Sequence, residues 1–248
     1  MALKVLESFV SDARSCSYLP AEQAELEYRV MLDVPAAKWE SMLSKGWRRF
    51  GAAYFRPKCP TCSECVSLRI PVKDFKPSRN QARVLRNISK FRLEIGPPVI
   101  DEERLQVYQE WHDLQGQKRN WELSSISADR YFYDFAFPHE CAREFVYYDD
   151  SSSSDRPVIV AIVDETENAL SAVYTFYDPK FAKLSPGTGS ILRQIEIARS
   201  SQKEYVYLGY RILDCASSQY KGRFRPHELL AGRPGEFEEP TWNKIAKQ

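Results

Sequence analysis

The chain has 248 residues, of which 43% are hydrophobic and 28% are charged. This length allows one large domain or two small ones with a real core, and the composition excludes a disordered chain. No apolar run approaches the roughly 20 residues that a membrane-spanning helix needs, and residues 1–10 are charged too early for a signal peptide. Six cysteines are too few for a disulfide scaffold, so we expect a cytoplasmic protein with reduced cysteines.

The formal net charge of +1 conceals a segregation of charge along the chain. Residues 48–92 contain twelve Lys and Arg but only two acidic residues, a local charge of +10, which leaves −9 for the rest of the chain. A basic excess of this size is typical of proteins that bind a polyanion, nucleic acid above all. A solvated face without a partner explains the same charge run, because charge alone does not separate the two.

Hydrophobic periodicity and turn residues predict a mixture of helices and strands without an internal repeat. The predicted helices cover residues 35–43, 101–116 and 188–201, besides one that begins at residue 78. The predicted strands cover residues 52–55, 66–72, 145–148, 158–163, 170–177 and 205–210.

The helix that begins at residue 78 is predicted to carry a basic face. Pro77 and Ser78 form a helix start, with Ser78 as the N-cap. Beyond them, apolar residues recur at helical spacing on one face, which is expected to pack inward, and basic residues recur on another. The basic stripe consists of Arg79, Arg83, Arg86 and Lys90.

The order of elements in the second half of the chain indicates the fold. Two strands form a hairpin around residues 164–168, and a glycine-containing turn, a helix and a further strand follow. That order is the core of the acetyltransferase-like (GNAT-type) fold, so we predict an α/β (α+β) protein with a mixed sheet. Its predicted domains are a smaller cysteine-bearing region, 1–75, and an acetyltransferase-like region, 76–248. The turn at 186–189 either cradles a pyrophosphate or simply caps the helix.

Three cysteines lie within seven positions, at Cys59, Cys62 and Cys65. Thiolates at this spacing suit zinc or an iron–sulfur cluster, because a tight turn aims successive sulfurs at one point. A fourth ligand is then needed, and Cys16 is the candidate. The alternative is that reduced cysteines line a turn without a metal. The three histidines of the chain show no ligand spacing.

No motif for a covalent nucleophile or a phosphate-binding loop is present in the sequence. The chemistry is therefore expected to rest on positioning a substrate that is already reactive. Residues 220–227 (Tyr-Lys-Gly-Arg-Phe-Arg-Pro-His) gather basic and aromatic side chains, and with aromatic residues of the strands at 174–177 and 205–210 they are expected to wall a pocket. Cations in such surroundings need a partner, because an unpaired buried charge is costly.

Several motifs, taken together, resemble one family across nearly the whole chain. In the N-terminal half they are residues 16–20 (Cys-Ser-Tyr-Leu-Pro), 46–51 (Gly-Trp-Arg-Arg-Phe-Gly), 54–57, 59–65, 68–72 and 75–81. In the C-terminal half they are residues 170–179, 208–210 (Leu-Gly-Tyr) and 220–226. These motifs resemble the arginyl-tRNA–protein transferase family, and within it the bacterial aspartate/glutamate leucyltransferases.

The resemblance implies an enzyme, an aminoacyltransferase that moves leucine or arginine from charged tRNA to the N-terminal α-amino group of proteins beginning with Asp or Glu. Such a transfer marks the acceptor for degradation. The transfer itself requires no cofactor. By analogy with eukaryotic members, an iron–sulfur cluster or zinc is nevertheless expected on Cys16, Cys59, Cys62 and Cys65. The chain departs from the bacterial pattern at Arg211, Ser217 and Ser218, close to where substrate should bind.

The resemblance also implies roles for individual residues. Forked cations are expected to hold the acidic acceptor side chain, at Arg56, Arg69 and Arg225. The basic stripe is expected to contact tRNA phosphates, which fixes position rather than sequence. The expected catalytic residues, which relay a proton or face the terminal adenosine, are Tyr174, Tyr210, Tyr220 and Lys221.

Three alternatives remain open from the sequence. The first is the same chemistry with a different donor or peptide acceptor. The second is an acetyl-CoA-dependent N-acetyltransferase, which would bind its cofactor at residues 187–190 and would leave the basic excess without a purpose. The third is a non-catalytic tRNA-binding or redox-sensing module, in which the cysteines control RNA affinity.

Overall fold

The structure is a computed structural model that describes residues 2–119, 125–152 and 154–246. Its strands are β1 (Lys4–Val10), β2 (Arg14–Ser15), β3 (Gln23–Ala24), β4 (Leu26–Leu32), β5 (Arg48–Phe50), β6 (Ala53–Pro57), β7 (Val66–Pro71), β8 (Arg92–Gly96), β9 (Ala142–Tyr148), β10 (Pro157–Glu165), β11 (Ala169–Tyr177), β12 (Tyr205–Arg211), β13 (His227–Leu230) and β14 (Trp242–Ile245). Within the described ranges, none of the helices is long and apolar enough to cross a membrane.

The helices are fewer than the strands. The α-helices are α1 (Ala36–Ser44), α2 (Arg79–Ile88), α3 (Glu102–Arg119), α4 (Ala128–Tyr131), α5 (Pro186–Ser200) and α6 (Ala216–Gln219). A π-helix covers Phe132–Ala136, and 3₁₀ helices cover Pro179–Leu184 and Tyr220–Arg223. Every helix and strand predicted from periodicity is present, whereas the strands β1 to β5, β8, β13 and β14 were not predicted.

The chain folds into two compact units, and the first gathers Met1–Lys76, Thr166–Ser171 and Ala198–Gln248. It contains an antiparallel sheet of order β1-β4-β6-β5, covered by α1, whose Trp39 packs edge-on against Tyr54 at 5.3 Å. It also contains the strand order β14-β13-β7-β12, followed by the start of β11. The predicted division at residue 75 lies one residue before the first boundary of this unit, whereas the predicted region 76–248 is divided between the two units. The C-terminal segment belongs to the same unit because β7 pairs antiparallel with both β12 and β13.

The second unit comprises Pro77–Glu165 and Ala172–Ile197. Its strand order is β11-β10-β9-β8, and β9 and β10 are buried along nearly their whole length. Aromatic side chains from α3, the π-helix and β11 pack together in its core. They include Tyr108, Phe135, Tyr174 and Phe176, with ring centroids 4.9 to 5.9 Å apart in contacting pairs that involve Tyr108.

The predicted mixed α/β fold is confirmed. β10 and β11 are neighbours in the sheet, α5 follows, and β12 then pairs parallel with β11, so that Ala169 lies opposite Tyr205. A hairpin, a crossover helix and a parallel strand occur in the order that the sequence predicted. The glycine turn is a correction, however, because Gly187 and Gly189 lie inside the first turn of α5, which begins at Pro186.

The predicted cap of α2 is also confirmed. The Ser78 hydroxyl accepts the backbone N–H of Gln81 at 3.3 Å, and the Gln81 side chain accepts the Ser78 backbone N–H at 2.8 Å. This reciprocal capping box satisfies two donors that the helix itself cannot pair. At the other end of α2, Ile88 is fully buried and lies directly against Gly189 of α5. The first turn of α2 thus fixes the direction of the helix, and its last turn anchors it.

Candidate active site

Lys221 is placed by an irregularity in the sheet of the first unit. The register between β12 and β7 shifts between Tyr207 and Gly209, and Gly209 adopts a φ of +78° that glycine tolerates best. The Lys221 Nζ donates to the carbonyl of Tyr210 at 2.7 Å. A Cβ at position 209 would stand 3.5 Å from that nitrogen, an ordinary van der Waals contact. The bulge, which the positive φ of the glycine permits, therefore brings the backbone of residue 209 close to the lysine.

Arg48 approaches the same glycine from β5. It is only 7% exposed, and its Nη1 donates to the carbonyl of Trp47 at 2.6 Å. Its Nη2 donates to the Ser67 hydroxyl, and the guanidinium lies over the rings of Tyr207 and Tyr210 at 5.7 and 5.4 Å from their centroids. These contacts fix the guanidinium, whose Nε would lie 3.8 Å from a Cβ at position 209.

The surroundings of Lys221 lower its pKa. Burial of the Lys221 amino group and the positive charge of Arg48 lower the pKa of Lys221 to about 8, against a weaker opposing influence of Cys215 and Cys65. Burial disfavours the charged form of an amine, and a second cation nearby acts in the same direction. An amine with such a pKa exchanges protons close to neutral pH, as a general base must. This pair is the chemical centre of the candidate site.

Arg211 and Arg225 meet at Gly222, one residue beyond Lys221. Arg225 donates its Nε to the Gly222 carbonyl at 3.1 Å, and a Cβ on Gly222 would stand 3.0 Å from the Arg211 Nε. Both arginines are half-buried, and neither is ion-paired to a residue that the structure describes. Their charges and burial lower the pKa of His227, burial being the larger cause. Two guanidinium groups at one backbone position are suited to a carboxylate.

The other two predicted acceptor-binding residues already hold carboxylates. The Arg56 Nε donates to Glu27 at 2.7 Å, and its Nη1 donates to the carbonyl of Pro234 at 2.8 Å. The Arg69 Nε donates to Glu228 at 2.7 Å, and the centroids of two aromatic rings lie 3.7 and 4.2 Å from its guanidinium carbon. Their binding capacity is therefore largely used within the first unit.

The predicted catalytic tyrosines have different surroundings. The Tyr210 hydroxyl donates to the carbonyl of Gly46 at 2.8 Å, and burial raises its pKa. Tyr220 is 37% exposed at the start of a 3₁₀ helix of the first unit. Tyr174 belongs to the aromatic core of the second unit, where its ring centroid lies 5.6 Å from that of Trp111. The site that the first unit contains therefore includes Tyr210, Tyr220 and Lys221.

The four cysteines lie close to one another in the first unit and are all free and half-buried. Burial raises the pKa of Cys65 to about 12, and Cys16, Cys59 and Cys62 add to that rise. The guanidinium of Arg233 donates to the carbonyls of Cys59 and Cys62 at 3.2 and 2.6 Å. In the part of the chain that is described, no three His, Cys, Asp or Glu side chains are arranged to hold a metal ion.

The basic stripe lies in the second unit. Its four side chains are exposed, and none forms an ion pair with a described residue. Lys90 stands two residues beyond the end of α2, so the stripe runs slightly past the helix. The structure thus brings the stripe onto one exposed surface, as predicted, and places it in a different unit from Lys221.

The sequence did not single out Arg48 as a functional residue, although it lies in the motif at 46–51. A burial signal was missing, because arginine is usually exposed and β5 spans only three residues. Arg211 was noticed only as a departure from the family pattern. The one usable signal for this site was the position of Gly222 between two basic residues, because a glycine there leaves room for a side chain from another segment.

The fold defines a mixed α/β protein, and its site holds a lysine whose lowered pKa suits it to accept a proton. Sequence comparison then gives the family. The description "Arginine-tRNA-protein transferase, N terminus" matches residues 14–83, and "Arginine-tRNA-protein transferase, C terminus" matches residues 103–231. The chain belongs to the arginine-tRNA-protein transferase family, and the predicted family and transferase class are confirmed.

The chain is also similar to curated proteins over nearly its whole length. An aspartate/glutamate leucyltransferase of Helicobacter hepaticus is 34% identical over 238 residues, 96% of this chain and 97% of that protein. One from Pseudoalteromonas atlantica is 35% identical over 239 residues, with the same coverage of both chains. One from Campylobacter jejuni is 33% identical over 237 residues, 92% of this chain and 95% of that protein.

Solved structures with a similar arrangement share little sequence. FemX superposes with a TM-score of 0.47 at 10% identity, covering 75% of this chain and 64% of that one. The C-terminal domain of a putative lysylphosphatidylglycerol synthetase from Agrobacterium fabrum superposes with a TM-score of 0.46 at 13% identity, covering 66% and 58%.

Proposed function

We propose that the protein transfers leucine from charged tRNA to the N-terminal α-amino group of proteins that begin with Asp or Glu. Relatives that match nearly the whole chain carry the name aspartate/glutamate leucyltransferase, which supports this donor and these acceptors. The observation in the structure that carries the proposal is the enclosed amine of Lys221. It lies beside Arg48, and its pKa is lowered to about 8.

The reaction is the aminolysis of an ester that is already activated. The acceptor nitrogen attacks the carbonyl carbon of the aminoacyl ester, a C–N bond forms, and the bond between that carbon and the ribose oxygen of the tRNA breaks. Neutral Lys221 accepts the proton that the attacking amine loses and returns it to the departing ribose oxygen. Arg48 keeps Lys221 partly neutral and presents positive charge toward the developing oxyanion, whose stabilisation contributes about 3–4 kcal/mol in other acyl-transfer enzymes.

The acceptor side chain is the second element of the proposal. A carboxylate of Asp or Glu binds between Arg211 and Arg225, because these guanidinium groups converge at Gly222 and neither is paired with a carboxylate that the structure describes. Lys221 precedes Gly222 directly, so an acidic side chain held there keeps the α-amino group near the proton acceptor. Proximity of this kind can contribute up to about 7–11 kcal/mol in well-oriented reactions.

The donor tRNA is the third element. Its phosphates contact the exposed stripe of α2, which is supported by the exposure and the unpaired charges of that stripe. A charged tRNA and newly formed proteins are both found in the cytoplasm, and we propose that compartment for the reaction.

A metal or cluster on Cys16, Cys59, Cys62 and Cys65 also stands as a proposal. The support is that burial, and then the neighbouring thiols of Cys16, Cys59 and Cys62, raise the pKa of Cys65, since a cation among the four would offset both effects. No step of the transfer depends on it. The test is the iron, sulfide and zinc content of anaerobically purified protein against the variant with serine at the four positions. Equal content in both proteins contradicts the proposal.

The donor and acceptor are tested directly by transfer of radiolabelled amino acid to short peptides. Leucyl-tRNA and arginyl-tRNA are compared as donors, and peptides beginning with Asp, Glu, Lys or Ala are compared as acceptors. We expect leucine on the Asp and Glu peptides only. Arginine on those peptides would change the donor, and acetylation of peptides by acetyl-CoA would replace the proposal with the acetyltransferase alternative. That alternative has less support, because Ile88 fills the space at Gly189.

Acceptor recognition has its own pair of variants. Replacing Arg211 and Arg225 together by Gln should raise the KM for an Asp peptide about ten- to a hundred-fold, the equivalent of about 1.5–3 kcal/mol for lost hydrogen bonds to a charged group. The kcat should change little, because the amine and Lys221 remain. Arg223→Gln is the matched control, since Arg223 is exposed on the same segment. A KM that is equally affected by the control contradicts the assignment.

A further inference from the structure

The 3₁₀ helix at Pro179–Leu184 carries two lysines that no motif marked. Lys180 and Lys183 are both exposed, and neither is ion-paired to another residue within the described ranges. In a 3₁₀ helix, side chains three positions apart superpose, so the two lysines project from one face. The short helix is held firmly at both ends. The Asp178 carboxylate caps the Lys180 backbone N–H at 2.9 Å, and Ser185 ends the helix in the left-handed region with a φ of 57°.

This 3₁₀ helix is packed against α2 within the second unit. Phe181 meets Phe91 edge-on, with ring centroids 5.5 Å apart. Ile88, at the end of α2, fills the space beside Gly189 of α5. A Cβ added at Gly189 would be only 2.2 Å from the Cγ1 of Ile88. The glycine therefore lets α2 approach the first turn of α5 closely. These contacts hold the two segments that carry Lys90, Lys180 and Lys183 against each other.

The two segments that meet here are free of acidic residues. Neither residues 75–93 nor residues 179–195 contain Asp or Glu. Of the acidic residues that border the two segments, Asp178 is buried and paired with Arg156 at 3.1 Å. The others are ion-paired as well, Asp74 with Lys244, Glu94 with Arg92 and Glu196 with Arg193. Lys180 and Lys183 consequently add positive charge to that of the stripe, and neither segment contributes an acidic side chain that would offset it.

We infer that the tRNA-binding surface is formed by α2 and the 3₁₀ helix together, with Lys180 and Lys183 as phosphate contacts beside the predicted stripe. This inference rests on the proposed function, which supplies the polyanion, and it adds a second segment to the surface that the sequence predicted. The side chains that form the surface are Arg79, Arg83, Arg86, Lys90, Lys180 and Lys183.

The test measures how the binding of deacylated leucine tRNA to the full-length protein depends on salt concentration. Each phosphate contact lowers the slope of log K against log salt by roughly 0.7–0.9. The variant with Lys180→Gln and Lys183→Gln should therefore lose about two contacts, and between about 50 and about 200 mM salt its affinity should fall about ten-fold less than that of the wild type. A variant with both lysines changed to Arg should keep the wild-type slope.

The matched control removes two exposed lysines from the first unit, through Lys4→Gln and Lys244→Gln. It has the same net charge as the test variant, and we expect it to keep the wild-type slope. An unchanged slope in the test variant, or an equal change in the control, overturns the inference. Equal melting temperatures of the variants and the wild type exclude loss of folding as the cause.

Leucine transfer by the wild-type protein separates this inference from the proposed function. If the wild type transfers leucine to an Asp peptide but the test variant keeps its salt slope, the surface is wrong and the function stands. If the wild type transfers no leucine but the slopes differ as expected, the protein binds tRNA through this surface for another purpose.

Discussion

Lys221 is the residue at which local geometry and chemistry are most closely joined. Its amino group is enclosed, it donates to a backbone carbonyl, and the guanidinium of Arg48 lies near it on the same side of Gly209. No carboxylate is among the described groups that shift its pKa, and the thiols of Cys215 and Cys65 only partly offset the effect of burial and Arg48. A lysine in this position is charged well below pH 8 and neutral well above it.

The pH dependence of transfer follows from that ionisation. The pKa of Lys221 is lowered to about 8, so the fraction of the neutral base, and with it kcat, should rise with pH through about 8 and then level off. Lys221→Met should lower kcat by about 10²- to 10⁴-fold and abolish this rise, because general-base catalysis contributes about that much. The measurement is kcat for a saturating Asp peptide from pH 6 to pH 9.

The control for Lys221 is Lys244→Met, which removes an exposed lysine that is paired with Asp74 at the surface of the same unit. It should keep the pH profile of the wild type. Retention of the same rise in kcat by Lys221→Met would assign the ionisation to another group and remove Lys221 from the mechanism.

At the scale of elements, two glycines in the first turn of α5 have opposite consequences. Gly189→Ala should destabilise the protein by about 1–3 kcal/mol, because the added Cβ would overlap Ile88 and push α2 away. Gly187→Ala should be neutral or stabilise by up to about 1 kcal/mol, because nothing lies within 4 Å of the new Cβ and alanine favours a helix. Urea unfolding of both variants checks the pair.

The same pair also tests how α2 is held. If Gly189→Ala were as stable as Gly187→Ala, α2 would not be fixed by its contact with α5. The salt slope of tRNA binding would then be expected to survive in Gly189→Ala. A destabilised Gly189→Ala with a reduced slope, by contrast, would connect the close approach of the two helices to the binding surface.

At the scale of the whole molecule, opposite charges are separated on a chain whose net charge is only +1. A molecule with little net charge has weak overall repulsion, and a basic surface on one copy can attract the acidic remainder of another. We expect net attraction between copies at pH 7 and low salt, measured by light scattering. At about 0.15 M salt, where the Debye length is about 8 Å, the attraction should disappear.

The variant with Arg83→Glu and Arg86→Glu provides the comparison for this attraction. It should show repulsion at low salt, because the substitutions remove the complementary basic surface and make the net charge negative. Attraction of the same strength in this variant would show that the segregated charge is not its origin. The two arginines are exposed, so the folded structure should tolerate the change.

The sequence by itself determined the elements with local signals. Helical periodicity and the Ser78 cap define α2, and the order of hairpin, helix and strand defines the mixed sheet. Family motifs identified the family across both halves of the chain, and exposed charge at helical spacing predicted the stripe. The strand β1 was missed for a physical reason, since every residue of it is exposed and a strand without a buried face gives no alternation to detect.

Only the tertiary structure decided which charged side chains are free to act. Arg69 sits in a basic motif, yet Glu228 from far along the chain neutralises it, and Arg104 is buried on Glu144 in the same way. Arg48 and Lys221 converge at Gly209 because β5, β12 and a 3₁₀ helix meet there. The ionisation of a charged side chain, and whether it is free to bind a ligand, depend on partners that are distant in sequence. The strength of those contacts depends on burial, and a local sequence pattern encodes neither the partner nor the burial.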